Sequence, residues 1–363
     1  MSGGRLHRCF IFTAFHGRAT TVTSKAPCCF TTRRDEDMLF TCTTAGIRRA
    51  AVAVASVAAL AALTSSGGPT PAPGGGGTDQ GQRQPLRTKQ TDWTPVTDTL
   101  GRTGAFGDGN TVYRVSLPRS DLHVTTGGVA IKPGLALGGY AAFARYPDGV
   151  MLMGDLVVTE AELPHVTAAL QAHGIPQTAV HKHLLEQTPP VWWTHIDAMA
   201  DDPIPLAQGL KAALDATAIP PATPSPAQQP PIDLNTAGID KALGRTGSAE
   251  GGIYKFTIAR TDTITADGHV LPPTFGTTAG VNFQPLGGGK AAINGDIIMT
   301  APEVQKVIQA LSAGGIALVE VHNHMLTDQP RLFFAHFWAT GDGVALATAL
   351  RPALDATNLQ PPH

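Results

Sequence analysis

No cysteine follows Cys42; all four, Cys9, Cys28, Cys29 and Cys42, lie at the start of a 363-residue chain. The remainder therefore has neither a disulfide framework nor thiolate chemistry. Charge is scarce too, at 15% of residues with a formal net charge of -2. That leaves no electrostatic footprint for nucleic acid or an anionic membrane. Familiar catalytic signatures are missing: there is no P-loop, no G-x-S-x-G, no H-E-x-x-H and no dinucleotide fingerprint after a strand. The Gly-rich stretches "LGGYAAF" and "PLGGGK" do not open helices, which argues against phosphate cradles there. The length is enough for two domains, each with its own core.

Long hydrophobic runs are also lacking. The longest, residues 50–63 in "GIRRAAVAVASVAALAALTSSGGPTPAPGGGG", is too short for a comfortable membrane span. Arg48 and Arg49 precede it, and small residues and a Gly/Pro run follow, which is the layout of a signal peptide. The expectation is a secreted or periplasmic protein with no transmembrane anchor. No cysteine follows the run, which disfavours a lipid anchor. Residues before Met38 resemble neither signal nor core, making Met38 a candidate start. Residues 1–90 are expected to form a leader without stable packing.

What is present is a duplication. "LGRTGAFGDGNTVYRVSL" from Leu100 matches "LGRTGSAEGGIYKFTI" from Leu243, and "MLMGDLVVTEAEL" from Met151 matches "AINGDIIMTAPEV" from Ala292. "ALDAT" closes both copies, at Thr217 and Thr357. The repeats span 91–217 and 232–357, joined by a Pro-rich linker at 218–231 that should be extended. Each copy reads as a short helix ending at a Gly turn (Thr94 to Leu100, Thr236 to Leu243), then alternating strands, then a strand ending in Gly-Asp. A capping box follows, Thr159 with Glu162 and Thr300 with Glu303. The helices it opens carry core stripes at Leu163, Val166 and Leu170, and at Val304, Val307, Ile308 and Leu311. Gly174 and Gly314 should end them. The expected fold is α+β: two repeats, each a mostly antiparallel sheet with helices on one face, related by a pseudo-twofold axis.

Each copy then carries H-x-H, eleven residues and a further histidine: His181, His183 and His195, then His322, His324 and His336. On a strand, residues two apart share a face. The turn formers in "EQTPP" and "TDQPR" suggest a hairpin, and centring the turns on Thr188 and Gln329 sets His195 opposite His181 and His336 opposite His322. Three imidazoles on one patch can hold a divalent metal, zinc first, with a position left open. H-x-H alone is weak, and packing against Trp192, Trp193, Phe333 and Phe334 is the competing account. Glu320 shares the face of His322 and His324, where the first copy has Ala179. It can be a fourth ligand, an orienting partner, a general base or a simple edge-strand charge. The second copy is therefore expected to be the more competent site. Asp155 and Asp296 either border the site, with Asp296 a candidate catalytic acid, or hydrogen-bond a turn. Arg119 with Asp121, and Arg260 with Asp262, suggest structural ion pairs.

The pieces "LGRTG", "VYRVSLPRSDL", "AAFARY", "NGDIIM" and above all "VHNHMLTDQPRLFFAHFWATGD" resemble domain of unknown function 1259, the family of the exported LppY and LpqO lipoproteins. The resemblance covers both repeats and implies an exported bacterial protein whose hallmark is the histidine patch; it implies no substrate. The chain departs from it in lacking a lipidation cysteine, and its own copies differ in placing Lys182 where the second has Asn323. Three functions stay open: metal binding through a patch in each repeat, metal-dependent hydrolysis using Glu320 or Asp296, and a non-catalytic ligand-binding protein of the cell envelope.

Overall fold

The alternation of apolar residues in each repeat produces a six-stranded sheet whose two faces have different jobs. The computed structural model describes residues 81–222, 228–229 and 231–361; the signal-peptide reading of residues 48–63 lies outside them. In repeat 1 the strands are β1 (Ala105–Gly107), β2 (Val112–Pro118), β3 (Gly138–Tyr146), β4 (Gly149–Thr159), β5 (Gln177–His181) and β6 (Val191–Ala200). In repeat 2 they are β7 (Ser248–Glu250), β8 (Ile253–Ala259), β9 (Thr278–Gly287), β10 (Lys290–Thr300), β11 (Ala317–His322) and β12 (Leu332–Asp342). The spatial orders are β1-β2-β3-β4-β6-β5 and β7-β8-β9-β10-β12-β11, one topology twice, and every pairing is antiparallel.

Helices cover one face of each sheet. In repeat 1 these are α1 (Thr94–Leu100), α2 (Leu163–Ala172) and α3 (Pro203–Asp215). Val96, Val166, Leu170, Leu206 and Leu210 bury against Val150, Leu152, Leu156, Val158 and Ile196. Repeat 2 repeats the arrangement with α4 (Thr236–Leu243), α5 (Ala301–Ala313) and α6 (Gly343–Asp355), burying Ile239, Val307, Leu311 and Leu350 against Ile293, Ile297 and Phe337. α1 and α4 end where expected, because Gly101 and Gly244 adopt left-handed conformations at φ 63° and 66° that close the last turn. α5 differs slightly: Gly314 stays right-handed and the left-handed residue is Gly315, at φ 67°.

Each expected capping residue has further roles. Glu162 accepts from the Thr159 amide at 2.8 Å, from Arg119 at 2.7 Å and from the Ala218 amide at 2.9 Å. Glu303 does the same with Thr300, Arg260 and Asn358. The R-x-D pairs join these networks, Arg119 to Asp121 and Arg260 to Asp262, with both guanidinium groups buried. Each ties the end of β2 or β8 to the start of a helix in the same repeat.

The leader reading extends too far toward the repeats. The Arg83 amide bonds the Gly268 carbonyl, the Leu86 amide that of Arg145 and the Thr88 amide that of Asn110. Residues 81–90 are thus held by both repeats through satisfied backbone groups. The linker is also anchored at its start, where Arg102 donates to the carbonyls of Ile219 and Pro220 at 2.6 and 2.5 Å. Among the described residues no helix is long and apolar enough to cross a membrane.

Candidate metal centre

The sheet faces that these six helices leave uncovered lie toward each other, with the one-turn helix Pro133–Ala136 packed between them, and the histidines sit there too. Odd-numbered residues of β6 (Trp193, His195) and even-numbered residues of β12 (Phe334, His336) point inward, as period-two alternation requires. Cross-repeat ring contacts come in reciprocal pairs. His183 stands 3.8 Å from His336 at 32°, and their counterparts His324 and His195 stand 3.9 Å apart at 33°. His181 and His322, equivalent residues, stack on each other at 3.9 Å. Residue i meeting j while j meets i is the mark of a twofold relation. Flanking aromatics follow the same rule, His183 stacking on Trp193 and His324 on Phe334.

The histidine loops are displaced from the expected hairpin register. His181 faces Trp193 and His195 faces Ala179; His322 faces Phe334 and His336 faces Glu320. The loop centres thus fall on Gln187 and Asp328, one residue earlier than expected. Side chains fix this. Buried Asp328 accepts from the Leu332 amide at 2.6 Å and from Arg331 at 2.8 Å, and Gln187 donates to the Val191 carbonyl at 2.8 Å. Moving a turn centre by one residue moves the register by two, so every histidine keeps its face.

Six histidines converge, and among the described residues the two sets with ligand atoms close enough for one ion mix the repeats. They are His181, His195 and His322, and His181, His183 and His336; within each, the ligand atoms lie within 4.8 Å of one another. Spacing alone leaves open whether the copies make two sites or one; face-to-face packing of the repeats brings the six histidines into one cluster, and because His181 of the first copy belongs to both sets, the expectation that the second copy is the more competent site is corrected.

Hydrogen bonding orients the rings. Nδ1–H of His195, His324 and His336 donates to the carbonyls of Gly154, Gly276 and Gly295 at 3.2, 3.0 and 2.9 Å. Each Nε2 is thereby left as an inward acceptor. Those three Nε2 atoms, Nδ1 of His181 and both ring nitrogens of His322 are buried without a hydrogen-bond partner. Burial and mutual repulsion drive the pKa values of His181, His183 and His195 well below the histidine range, and those of His322 and His336 below it. The rings are neutral, the form that binds a cation. Gly154 and Gly295 have steric reasons as well. A Cβ on Gly295 would stand 2.1 Å from the Gly280 carbonyl oxygen, and one on Gly154 2.8 Å from that of Tyr140.

Asp155 and Asp296 border the cluster, which settles the alternative in which they merely hold a turn. Asp155 Oδ2 lies 3.5 Å from His183 Nε2, and Asp296 Oδ2 lies 3.2 Å from His324 Nε2 without hydrogen-bond alignment. Burial, reinforced by Asp296, pushes Asp155 up to about 8. Burial acts on Asp296 in the same sense but His336 and His324 outweigh it, holding that carboxyl low. Glu320 is not in the cluster's hydrogen bonding. Its carboxylate accepts from the Lys182 amide at 2.7 Å, and it lines a different pocket with Lys182, Leu185 and Val319. The ligand and general-base readings of Glu320 give way to a tie between the repeats.

Beside the cluster lies a cavity of about 450 Å³, lined by residues from both repeats that include Arg114, Tyr140, Lys255 and Asn282. Sequence reading missed these residues. The signal was there, because the matched "VYRVSL" and "IYKFTI" put a basic residue at the same position of each copy.

The chain belongs to the family described as Domain of Unknown Function (DUF1259), whose model matches residues 94–216 and 237–356. No curated protein matches it. Two solved structures are similar at low levels. A trimeric bacterial microcompartment shell protein, PduB, is 14% identical, with 70% of this chain and 90% of that chain covered at a TM-score of 0.19. EtuB from Clostridium kluyveri is 12% identical, with 70% and 89% covered at a TM-score of 0.18. Likeness at that level carries no argument about fold or role.

Proposed function

Taking two-copy membership of this family as the premise, we propose that the protein binds one divalent metal ion, zinc first, between its repeats. The observation that carries this reading is the set of buried, inward-facing ring nitrogens without partners, three of them on rings oriented by bonds to backbone carbonyls. Buried polar atoms are ordinarily paired, and imidazoles that ligate metals ordinarily donate their other N–H in this way. An all-imidazole donor set with carboxylates nearby suits zinc and related ions. Both candidate sets use His181, so one ion per chain is expected rather than one per repeat. Export to the cell envelope is part of the proposal and rests on the sequence alone, on Arg48, Arg49 and the apolar run after them.

Elemental analysis of protein purified without added metal tests the reading, followed by calorimetric titration with zinc. The parent should bind one ion. His181→Asn and His322→Asn should each weaken binding by at least about tenfold, the lower end of what loss of a metal site's support causes. His165→Asn, on the exposed side of α2, should not. A parent that binds no zinc, copper, nickel or iron overturns it.

A second reading, metal-dependent hydrolysis, is favoured by one observation: two carboxyls of different proton affinity stand beside the histidines at an open cavity. A bound divalent ion acidifies water. Asp296 is the residue to accept a proton from that water and Asp155, protonated, the one to give a proton to the leaving group, both being reset by exchange with water in the cavity. Asp296→Asn should abolish any hydrolysis of ester or phosphoester probes while zinc remains bound.

A further inference from the structure

The cavity has its own chemistry, distinct from that of the histidines. Arg114 and Lys255 occupy equivalent places on β2 and β8 and both line it. The Arg114 guanidinium carbon lies 3.4 Å from the centre of the Tyr140 ring and the group donates to the Thr274 carbonyl at 2.9 Å, two contacts that restrain it. That bond uses one of the five N–H donors in the fork, and among the described residues no carboxylate is in ion-pair contact with it. Among the described residues the Lys255 ammonium pairs with Glu250 alone, at 3.4 Å, and that acidic side chain is 58% exposed. Exposed pairs of this kind contribute little and exchange readily. The two repeats differ at one point that matters for space. Tyr140 pairs with Asp155, but its counterpart opposite Asp296 is Gly280, and a Cβ there would meet nothing within 4 Å. Gly280, Asp296 and His336 line the cavity together with the two basic residues, so a side chain at Gly280 would take up space beside them.

We propose that this cavity binds a small molecule through an oxyanion group, carboxylate or phosphate, gripped by the fork of Arg114 and by Lys255. A planar, preoriented guanidinium matches two oxygens of such a group, and the volume suits a small ligand. The proposal deepens the metal reading and rests on it for one point. The Asp296 carboxylate in the lining repels an anion, and a divalent cation held by the histidines offsets it and offers the ligand a second contact.

The test is calorimetric titration of the zinc-loaded protein with inorganic phosphate, with succinate, and with neutral succinamide. Phosphate or succinate should bind saturably and succinamide should not; which of the two binds assigns the oxyanion. Arg114→Gln should weaken the binding at least tenfold with zinc affinity unchanged, and Gly280→Leu, which takes up that space, should abolish it. Failure of both anions to bind, or binding that Arg114→Gln leaves intact, overturns the proposal. If the parent binds no metal, the metal reading alone fails, and the same comparison on metal-free protein decides this one.

Discussion

Acidification of the metal-free protein is the sharpest probe of the neutral histidine cluster. His181, His183, His195, His322 and His336 all have lowered pKa values. Below about pH 6.5 each therefore binds a proton in the unfolded chain that the native chain refuses, so stability falls as pH falls. Between pH 7 and 5.5 each of His181, His183, His195 and His322 removes about 1.2 kcal/mol, or about 5 for the four, and His336 acts in the same sense. Asp155, raised to about 8, and Asp197, raised to about 6, act in the opposite direction. Across this interval their native forms hold protons that the unfolded carboxylates do not, returning about 3 kcal/mol. The expected net loss is at least about 2 kcal/mol, a sizeable part of a normal folding free energy. Urea unfolding of chelator-treated protein at the two pH values, with the slope checked for constancy, measures it directly. Equal stability at the two values, or greater stability at 5.5, would refute the account of the cluster as five rings kept neutral by burial.

Three further outcomes follow from particular contacts. Gly295→Ala should destabilise by at least about 2 kcal/mol in urea melts, since its Cβ would run into the neighbouring strand's carbonyl and the Phe337 ring. Arg119→Ala should cost about 3–5 kcal/mol by the same measure, because it strands Asp121 and Glu162 without their buried partner. Glu320→Ala should cost about 1–3 kcal/mol by leaving the Lys182 amide unpaired, with zinc affinity unchanged. A large loss of zinc affinity in that variant would return Glu320 to the metal site.

The duplication, the α+β class, the ends of α1 and α4, the capping boxes and the identity of the six histidines can all be read along the chain. These are local matters: period-two and period-3.6 patterns, Gly at left-handed positions and hydroxyl–carboxylate spacing act over a few residues, so they are legible in order along the chain. Even the sharing of a face by His181 and His183 needed only alternation. The tertiary structure decided how the histidines group. Loop centres at Gln187 and Asp328 depend on the hydrogen bonds that Gln187 and a buried carboxylate make, and spacing alone carries no such information. The pairing of His183 with His336, and of His195 with His324, depends on two sheets meeting across a twofold axis. A pattern of 2 or 3.6 residues cannot encode that meeting, because it repeats identically in both copies whether they pack together or stand apart. The fate of Glu320 shows the same limit: its face was readable, but the amide of Lys182 that claims its carboxylate comes from the other repeat.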